Sequence, residues 1–201
     1  MKMPAPTETS DYAPAPAGNH LAVSCRLIDL GTQQTSYQGK PKRQRKIYLE
    51  WQLPGERTAD GLAVTVGNRY TLSSSEKATL RKHLESWRGR RFENDELAGF
   101  DLRNILGKPC LLSIVQSTRD GKTYADVANV AALPKGTTPA ATEGSTVYLS
   151  LEPDDFEPAI YESLSDKLKE TIAASPEFQA LSYQADGQAA NNVDDTSDIP
   201  F

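Results

Sequence analysis

The sequence predicts a mainly β domain with a few helices: five strands closed into a small barrel, one helix between the third and the fourth, and a disordered acidic tail. Three observations predict it. Segments of alternating apolar and polar residues recur along the first two thirds of the chain, the period of strands with one buried face. One strong helix signature stands between the third and fourth of these segments. The chain has 201 residues and is 38% hydrophobic, enough apolar material for one core of ordinary size.

Residues 1–18 carry Pro4, Pro6, Pro14 and Pro16 among Ala and Thr. Such a stretch buries little and lacks a donor at each Pro, so it reads as a disordered leader, with the folded body starting near Asn19. Leu21–Leu30 is apolar at 21, 23, 25 and 27 and reads as the first strand. Gly31 then opens a polar loop, which runs into five cations in seven residues: Lys40, Lys42, Arg43, Arg45 and Lys46. Ile47–Leu53 is apolar at 47, 49, 51 and 53, a second strand stopped by Pro54-Gly55. Leu62–Val66 is the third, interrupted at Gly67 and continuing weakly to Leu72. Ser73-Ser-Ser-Glu76 has the pattern of a capping box, and Leu80, Leu84 and Trp87 form one helical stripe after it, ending near Gly89. Phe100–Leu106 adds a short helical turn. Cys110–Val115 and Tyr124–Val130 are strands four and five, joined by a loop with an Asp120-Gly121 turn.

Three strands, a helix, then two strands is the element order of an OB-fold over residues 19–135. In such barrels the loops between strands one and two and between four and five flank an oligonucleotide groove. Beyond 135 lie a Thr/Ala/Pro linker, a short strand near 147–151 and an amphipathic helix over 155–174, stopped by Pro176; together they form a linker and accessory segment, 136–181. From 182 the Gln, Asn, Ala and Asp composition predicts disorder.

The formal net charge of −5 hides a division. Residues 26–135 hold 19 Lys and Arg against 12 Asp and Glu, whereas residues 136–201 hold 2 against 13. A basic body with an acidic tail is the layout of a nucleic-acid binder with a self-competing arm. The tail ends in Asp194-Asp195-Thr196-Ser197-Asp198-Ile199-Pro200-Phe201. An aromatic ring at an exposed end, preceded by carboxylates and stiffened by Pro200, suits docking into an apolar pocket rimmed by Arg or Lys.

This ending resembles the acidic tip of bacterial single-stranded DNA-binding proteins, which typically finish in Asp-Asp-Asp-Ile-Pro-Phe. The resemblance implies an OB-fold body that holds single-stranded DNA. It also implies a tip (Asp194, Asp195, Asp198, Ile199, Pro200, Phe201) that recruits replication, recombination and repair proteins, and a place in the bacterial cytoplasm. Residues 70–115, with Tyr70-Thr-Leu-Ser-Ser-Ser-Glu-Lys77, Leu84-Glu-Ser-Trp-Arg-Gly89 and Gly107-Lys-Pro-Cys-Leu-Leu112, are also similar to small bacteriophage-encoded proteins of the replication and recombination region. That likeness implies a phage-encoded type acting with host or phage partners. The body departs from the bacterial protein throughout, which leaves homo-oligomerisation and the path of the DNA open.

Single strands are held by cations on phosphates and rings on bases. The expected cations are the run from Lys40 to Lys46, with Arg119 and Lys122 in the second loop. The candidate rings are Tyr37, Tyr48, Tyr70 and Tyr124, each as readily explained by ordinary packing. Trp51 and Trp87 fall in phase with apolar neighbours and belong to the core, whereas Tyr48 is out of phase and should face groove or solvent.

The enzyme readings fail. Gly121-Lys122-Thr123 resembles the end of a phosphate-binding loop, but Gln116 stands where that loop needs Gly. His20 and His83 stand alone, without a nucleophile or a metal pair. Asp154, Asp155 and Glu157 read as partners of a helix dipole rather than metal ligands. Cys25 and Cys110 read as reduced, buried thiols. No cofactor, metal, catalytic group or membrane span is expected. The alternative to DNA binding is an interaction adaptor that displays the tip and uses its body for protein contact.

Overall fold

Strand pairing carries much further along the chain than its apolar alternation indicates. The computed structural model describes residues 13–37 and 39–181, except for the side chains of Tyr37 and Asn94. The leader to residue 12 and the tail from 182, with the tip residues Asp194, Asp195, Asp198, Ile199, Pro200 and Phe201, lie outside the described residues. Strands β1 (Gly18–Tyr37), β2 (Lys40–Arg57), β3 (Ala63–Thr71), β4 (Pro109–Arg119) and β5 (Lys122–Ala131) lie in the order β3-β2-β1-β4-β5, each antiparallel to its neighbours. A short sixth strand, β6 (Val147–Leu149), runs parallel to β1 beside Arg26–Ile28, on the stretch of β1 beyond its pairing with β4.

The first expected loop is a long hairpin arm instead, while the second is the expected hairpin with its Asp120-Gly121 turn, only tighter. The polar stretch after Gly31 pairs residue by residue with the cationic run, from Gly31↔Lys46 to Tyr37↔Lys40. The physical reason is that backbone pairing satisfies donors and acceptors even where no side chain is buried. Pro54-Gly55 does not stop β2, and Gly67 does not interrupt β3. The second loop shrinks to Asp120-Gly121, both with positive φ (51° and 75°), as a type I′ turn requires.

The first strand departs from its expected single buried face. A register shift between Ser24 and Arg26 changes the phase, so Ala22 and Leu27 share the main core while Leu21 is left 41% exposed. The leader also joins the fold earlier than expected. Ala15 is buried in the same core, and its carbonyl accepts a hydrogen bond from the Gln116 amide at 2.9 Å.

The sheet does not close into the expected barrel: β3 and β5 carry no ladder between them. Helix α1 (Thr79–Arg88) bonds to both edges instead. The Ala132 amide, just past β5, donates to the Ser86 carbonyl, and Tyr70 on β3 bonds to His83. The stripe Leu80, Leu84 and Trp87 faces the core, where Trp51 meets Tyr70 edge-on at 6.5 Å and Trp87 at 6.2 Å. Trp51 and Trp87 are thus core residues, and Cys25 and Cys110 are free buried thiols, both pushed up to about 12 by burial.

The helix starts later than its capping-box pattern predicts. Ser73–Glu76 forms turns, tied down by Arg81, which donates to the Ser74 carbonyl at 2.8 Å and to Glu85 at 2.9 Å. A working capping box lies further on, between Glu93 and Glu96, at the start of α2 (Asn94–Ala98). The 3₁₀ turn Leu102–Ile105 replaces the short helix expected over 100–106.

After 135 the expected single helix over 155–174 is broken into α3 (Pro158–Glu162) and α4 (Asp166–Ala173), and residues 176–181 are helical again. Pro158 and Pro176 each stand at a first turn, where the missing amide costs nothing. Leu149, Leu151, Leu164 and Ile172 close over Ile28 and Leu30 of β1 in a second apolar cluster, flanked by Tyr48, Phe156, Tyr161 and Phe178. No helix among the described residues is long and apolar enough to cross a membrane.

The buried Tyr70–His83 pair predicts a pH profile. Desolvation lowers His83 from its usual 6.5, opposed by a hydrogen bond with the Ala128 backbone, and raises Tyr70 to about 12. Below about pH 6.5 the unfolded chain takes a proton on His83 that the folded chain resists, so stability falls as pH drops through that value. The Tyr70 contribution is present below pH 10 and is lost between pH 10 and about 12. Replacing Tyr70 by Phe should remove its share of the alkaline loss, leaving that of the buried thiols Cys25 and Cys110, and cost about 1–3 kcal/mol at neutral pH, because the His83 Nδ1 loses its donor. Urea unfolding from pH 5 to 11 reads both slopes.

Candidate nucleic-acid interface

The cationic run lies on a strand, so its members alternate between two faces. Lys40, Lys42, Gln44 and Lys46 share a face with Tyr48, and Arg43 and Arg45 point the other way. Directly opposite, Thr35 and Gln33 pair with Lys42 and Gln44. Lys40 and Lys42 are exposed and make no ion pair among the described residues. Lys46 is half-buried and donates to the Thr71 hydroxyl at 2.8 Å.

Arg45 is not available to a ligand in the way expected. Its guanidinium binds Asp29 at 2.5 Å and Glu152 at 2.7 Å, which joins the base of the arm to the segment after β6. The hydrogen bond with Asp29, then that with Glu152, holds it protonated more firmly than a free guanidinium. Arg43 is exposed, on the face away from Tyr48.

The four candidate rings part company. Tyr70 is 2% exposed, and its hydroxyl lies 2.9 Å from the His83 Nδ1, so it cannot stack on a base. Its position follows from register: Ile47↔Tyr70 puts it on the core face. Tyr48 does point outward but is half-buried. The end of its ring lies against Gly67, where any Cβ would collide with it, and its flank packs on the second cluster. The side chain of Tyr37 lies outside the described residues; its backbone closes the arm opposite Lys40. Tyr124 is 42% exposed on β5, with the Arg119 guanidinium 5.7 Å from its ring centre.

The second cationic group is weaker than expected. Arg119 is engaged by Asp126 at 2.7 Å, and Lys122 is left exposed without an ion pair among the described residues. Since Gly18 pairs with Ile114, the β4–β5 hairpin runs on past the N-terminal end of β1, while the β1–β2 arm extends from its C-terminal end. The two groups that were expected to flank one groove therefore leave the sheet at opposite ends of β1.

One cation was not foreseen. Arg69 stands directly across from Tyr48 in the β2–β3 ladder, exposed and without an ion pair among the described residues. Nothing near it in sequence marks it; only the register places it beside Lys46 and Tyr48. Arg26 lies on the adjoining strand, but Glu50 takes it at 3.6 Å. The result is a basic stripe from Arg69 across Tyr48 and Lys46 to Lys42 and Lys40. Its floor is the polar outer face of β2 and β3, and one wall is the helical segment over Ile28 and Leu30. Such a stripe can bind a flexible polyanion through separated point charges, with one ring edge for a base. Neither a comparison with protein-family models nor one with curated proteins finds a match for the chain.

Proposed function

We propose that the protein binds single-stranded DNA without sequence preference and recruits replication, recombination and repair proteins through its C-terminal tip. The strand crosses the outer face of β2 and β3 and continues along the β1–β2 arm. The observation that carries this reading is the alignment of exposed Lys40, Lys42 and Arg69 with half-buried Lys46 on one face with Tyr48. The strand order supports it, being that of an OB-fold lacking the closing β3–β5 pair. The basic body and the Asp-Ile-Pro-Phe ending support it independently, and the setting we propose with it is the cytoplasm of a bacterial host. Lys40 and Lys42 hold phosphates, Arg69 and Lys46 bracket the backbone at Tyr48, and the open part of the Tyr48 ring receives a base. Arg45 positions the arm rather than the DNA.

The burial of Tyr70 and the partial covering of Tyr48 favour a second reading, the adaptor whose body contacts protein. Fluorescence-anisotropy titration with labelled oligo(dT), competed by a duplex of equal length, separates them. DNA binding predicts that the single strand wins by at least tenfold, since a duplex cannot offer an unstacked base. No binding of either at low salt leaves the adaptor. Replacing Phe201 by Ala should preserve the titration while abolishing capture of purified partner proteins, because the charges remain and the anchoring ring is gone.

A further inference from the structure

We propose that the protein recognises the junction between single-stranded and duplex DNA, the tip of the β1–β2 arm entering the major groove of the duplex that flanks the bound strand. This deepens the DNA-binding reading and rests on it. It adds a second ligand, the duplex, at a face of the arm that the single strand leaves uncovered.

The arm outruns the rest of the fold. β3 last pairs with β2 at Lys46, and the Leu72 amide bonds to the Arg45 carbonyl. On the other side, Thr32 donates its amide to Glu177 at 2.8 Å, and Gln33 its carboxamide to the Thr171 carbonyl at 2.9 Å. Past these contacts, residues 34–37 and 40–43 make hydrogen bonds only within the arm among the described residues. Three steps separate the pair Gln34↔Arg43 from the pair Tyr37↔Lys40, so the free ribbon projects about 10 Å. A major groove is about 8.5 Å deep and about 12 Å wide, and it admits a two-stranded ribbon.

The charges of the ribbon suit phosphates on both sides. Residues 31–46 hold five cations and no acid. Lys40 and Lys42 are exposed on one face, and Arg43 is exposed on the other, with Gln34 directly opposite it and Ser36 opposite Pro41. The side chains of Arg43, Gln34 and Ser36 make no ion pair or hydrogen bond among the described residues. A guanidinium, a carboxamide and a hydroxyl therefore stand unspent on the second face, with no large apolar anchor such as a protein partner would need. A single strand along the stripe touches only the Lys40 and Lys42 face. Folding it back over the tip would exchange a sharp bend for one guanidinium. A groove presents two phosphate backbones at once. With the ribbon inserted tip first, Lys40 and Lys42 meet the backbone that continues the bound strand, and Arg43 meets that of its complement.

Fluorescence anisotropy at low salt tests this with three labelled probes: oligo(dT), the same dT tail joined to a blunt duplex, and that duplex alone. The tailed duplex should bind about five- to tenfold more tightly than the tail, and the duplex alone should be the weakest. Its slope of log K against log salt should be steeper than that of the tail by about 1–2, for one or two added contacts at about 0.9 each. Arg43→Ala should bring tail and tailed duplex within twofold of each other and leave the affinity for oligo(dT) unchanged. Dimethyl sulfate, which methylates guanine N7 in the major groove, should be excluded from guanines in the first base pairs beside the tail. Equal affinity for tail and tailed duplex overturns the proposal. An equal loss of both affinities in Arg43→Ala also overturns it, by placing a single strand over the tip. Guanines that stay reactive beside the tail overturn insertion into the major groove. Oligo(dT) that does not bind at all sinks the single-strand reading and this inference with it, an outcome distinct from binding without junction preference because the first probe alone reads it.

Discussion

Replacing Lys40, Lys42, Lys46 and Arg69 together by Ala should cut affinity for oligo(dT) by roughly 10²–10³-fold near 0.1 M salt. For single strands each neutralised phosphate contributes about 0.7 to the slope of log K against log salt, so four contacts carry a slope of about 3. The variant should lose that slope and keep its fold, because three of the four side chains end in solvent and Lys46 gives up only its bond to Thr71. The informative control is Arg45→Ala. Its partners are Asp29, which is buried, and Glu152, so this variant should lose stability at the base of the arm with little change in slope. An equal loss of slope from Arg45→Ala would mean that the strand lies on the other face of the arm.

The second large effect concerns Gly31. It has φ of +67°, and a Cβ there would meet the Cβ and hydroxyl of Ser175, a fully buried side chain with no room to retreat. Its amide donates to Asp29 at 2.9 Å, and the next residue, Thr32, bonds through its own amide to Glu177 at 2.8 Å. Left-handed backbone at a residue with a side chain costs about 1–2 kcal/mol, and overpacking a filled site about 1–3 kcal/mol more. Gly31→Ala should therefore destabilise by about 2–5 kcal/mol in urea unfolding. Gly121→Ala has a similar φ of +75° but open space around it, so it should cost only the backbone share, about 1–2 kcal/mol. Equal costs at the two positions would show that the helical segment yields to the intrusion. Protease sensitivity near Ser175 in Gly31→Ala would show in addition that the segment undocks.

Gly31 also marks where the sequence stopped being legible. Periodicity located β2 and the core roles of Trp51, Leu84 and Trp87, because each follows an apolar rhythm with one buried face, whereas β4 and β5 were marked by apolar content and the Asp120-Gly121 turn between them. It failed along β1. A bulge after Ser24 reverses the phase, and past Gly31 the strand has no apolar residue to pair, only a partner strand as polar as itself. Ring exposure was legible only in part. The phase of Tyr48 against Ile47, Leu49 and Trp51 already turns it outward, but nothing in the sequence marks Tyr70 as buried, and only the register with β3 sends it to the core. Arg69 was missed for the same reason, since its relation to the basic run exists only across strands. The accessory segment was read as one helix because Phe156, Ile160, Leu164, Leu168 and Ile172 recur every four residues. The chain turns at 163–165 instead, and Ile160, Leu164, Leu168 and Ile172 reach the second cluster from two helices and the turn between them.

The central claim is that phosphates lie along the Lys40–Lys42 face of the arm and beside Arg69. Lysine acetylation footprinting with and without oligo(dT) at low salt, read by mass spectrometry, tests it most directly. Lys40 and Lys42 should lose most of their reactivity when DNA is bound, while Lys82 on α1 and Lys108 just before β4, which are not part of the stripe, should keep theirs. Protection should fade as salt rises, because the contacts are counterion exchange. Unchanged reactivity at Lys40 and Lys42, with protection at Lys122 or Lys108 in their place, would contradict the account and move the DNA to another face.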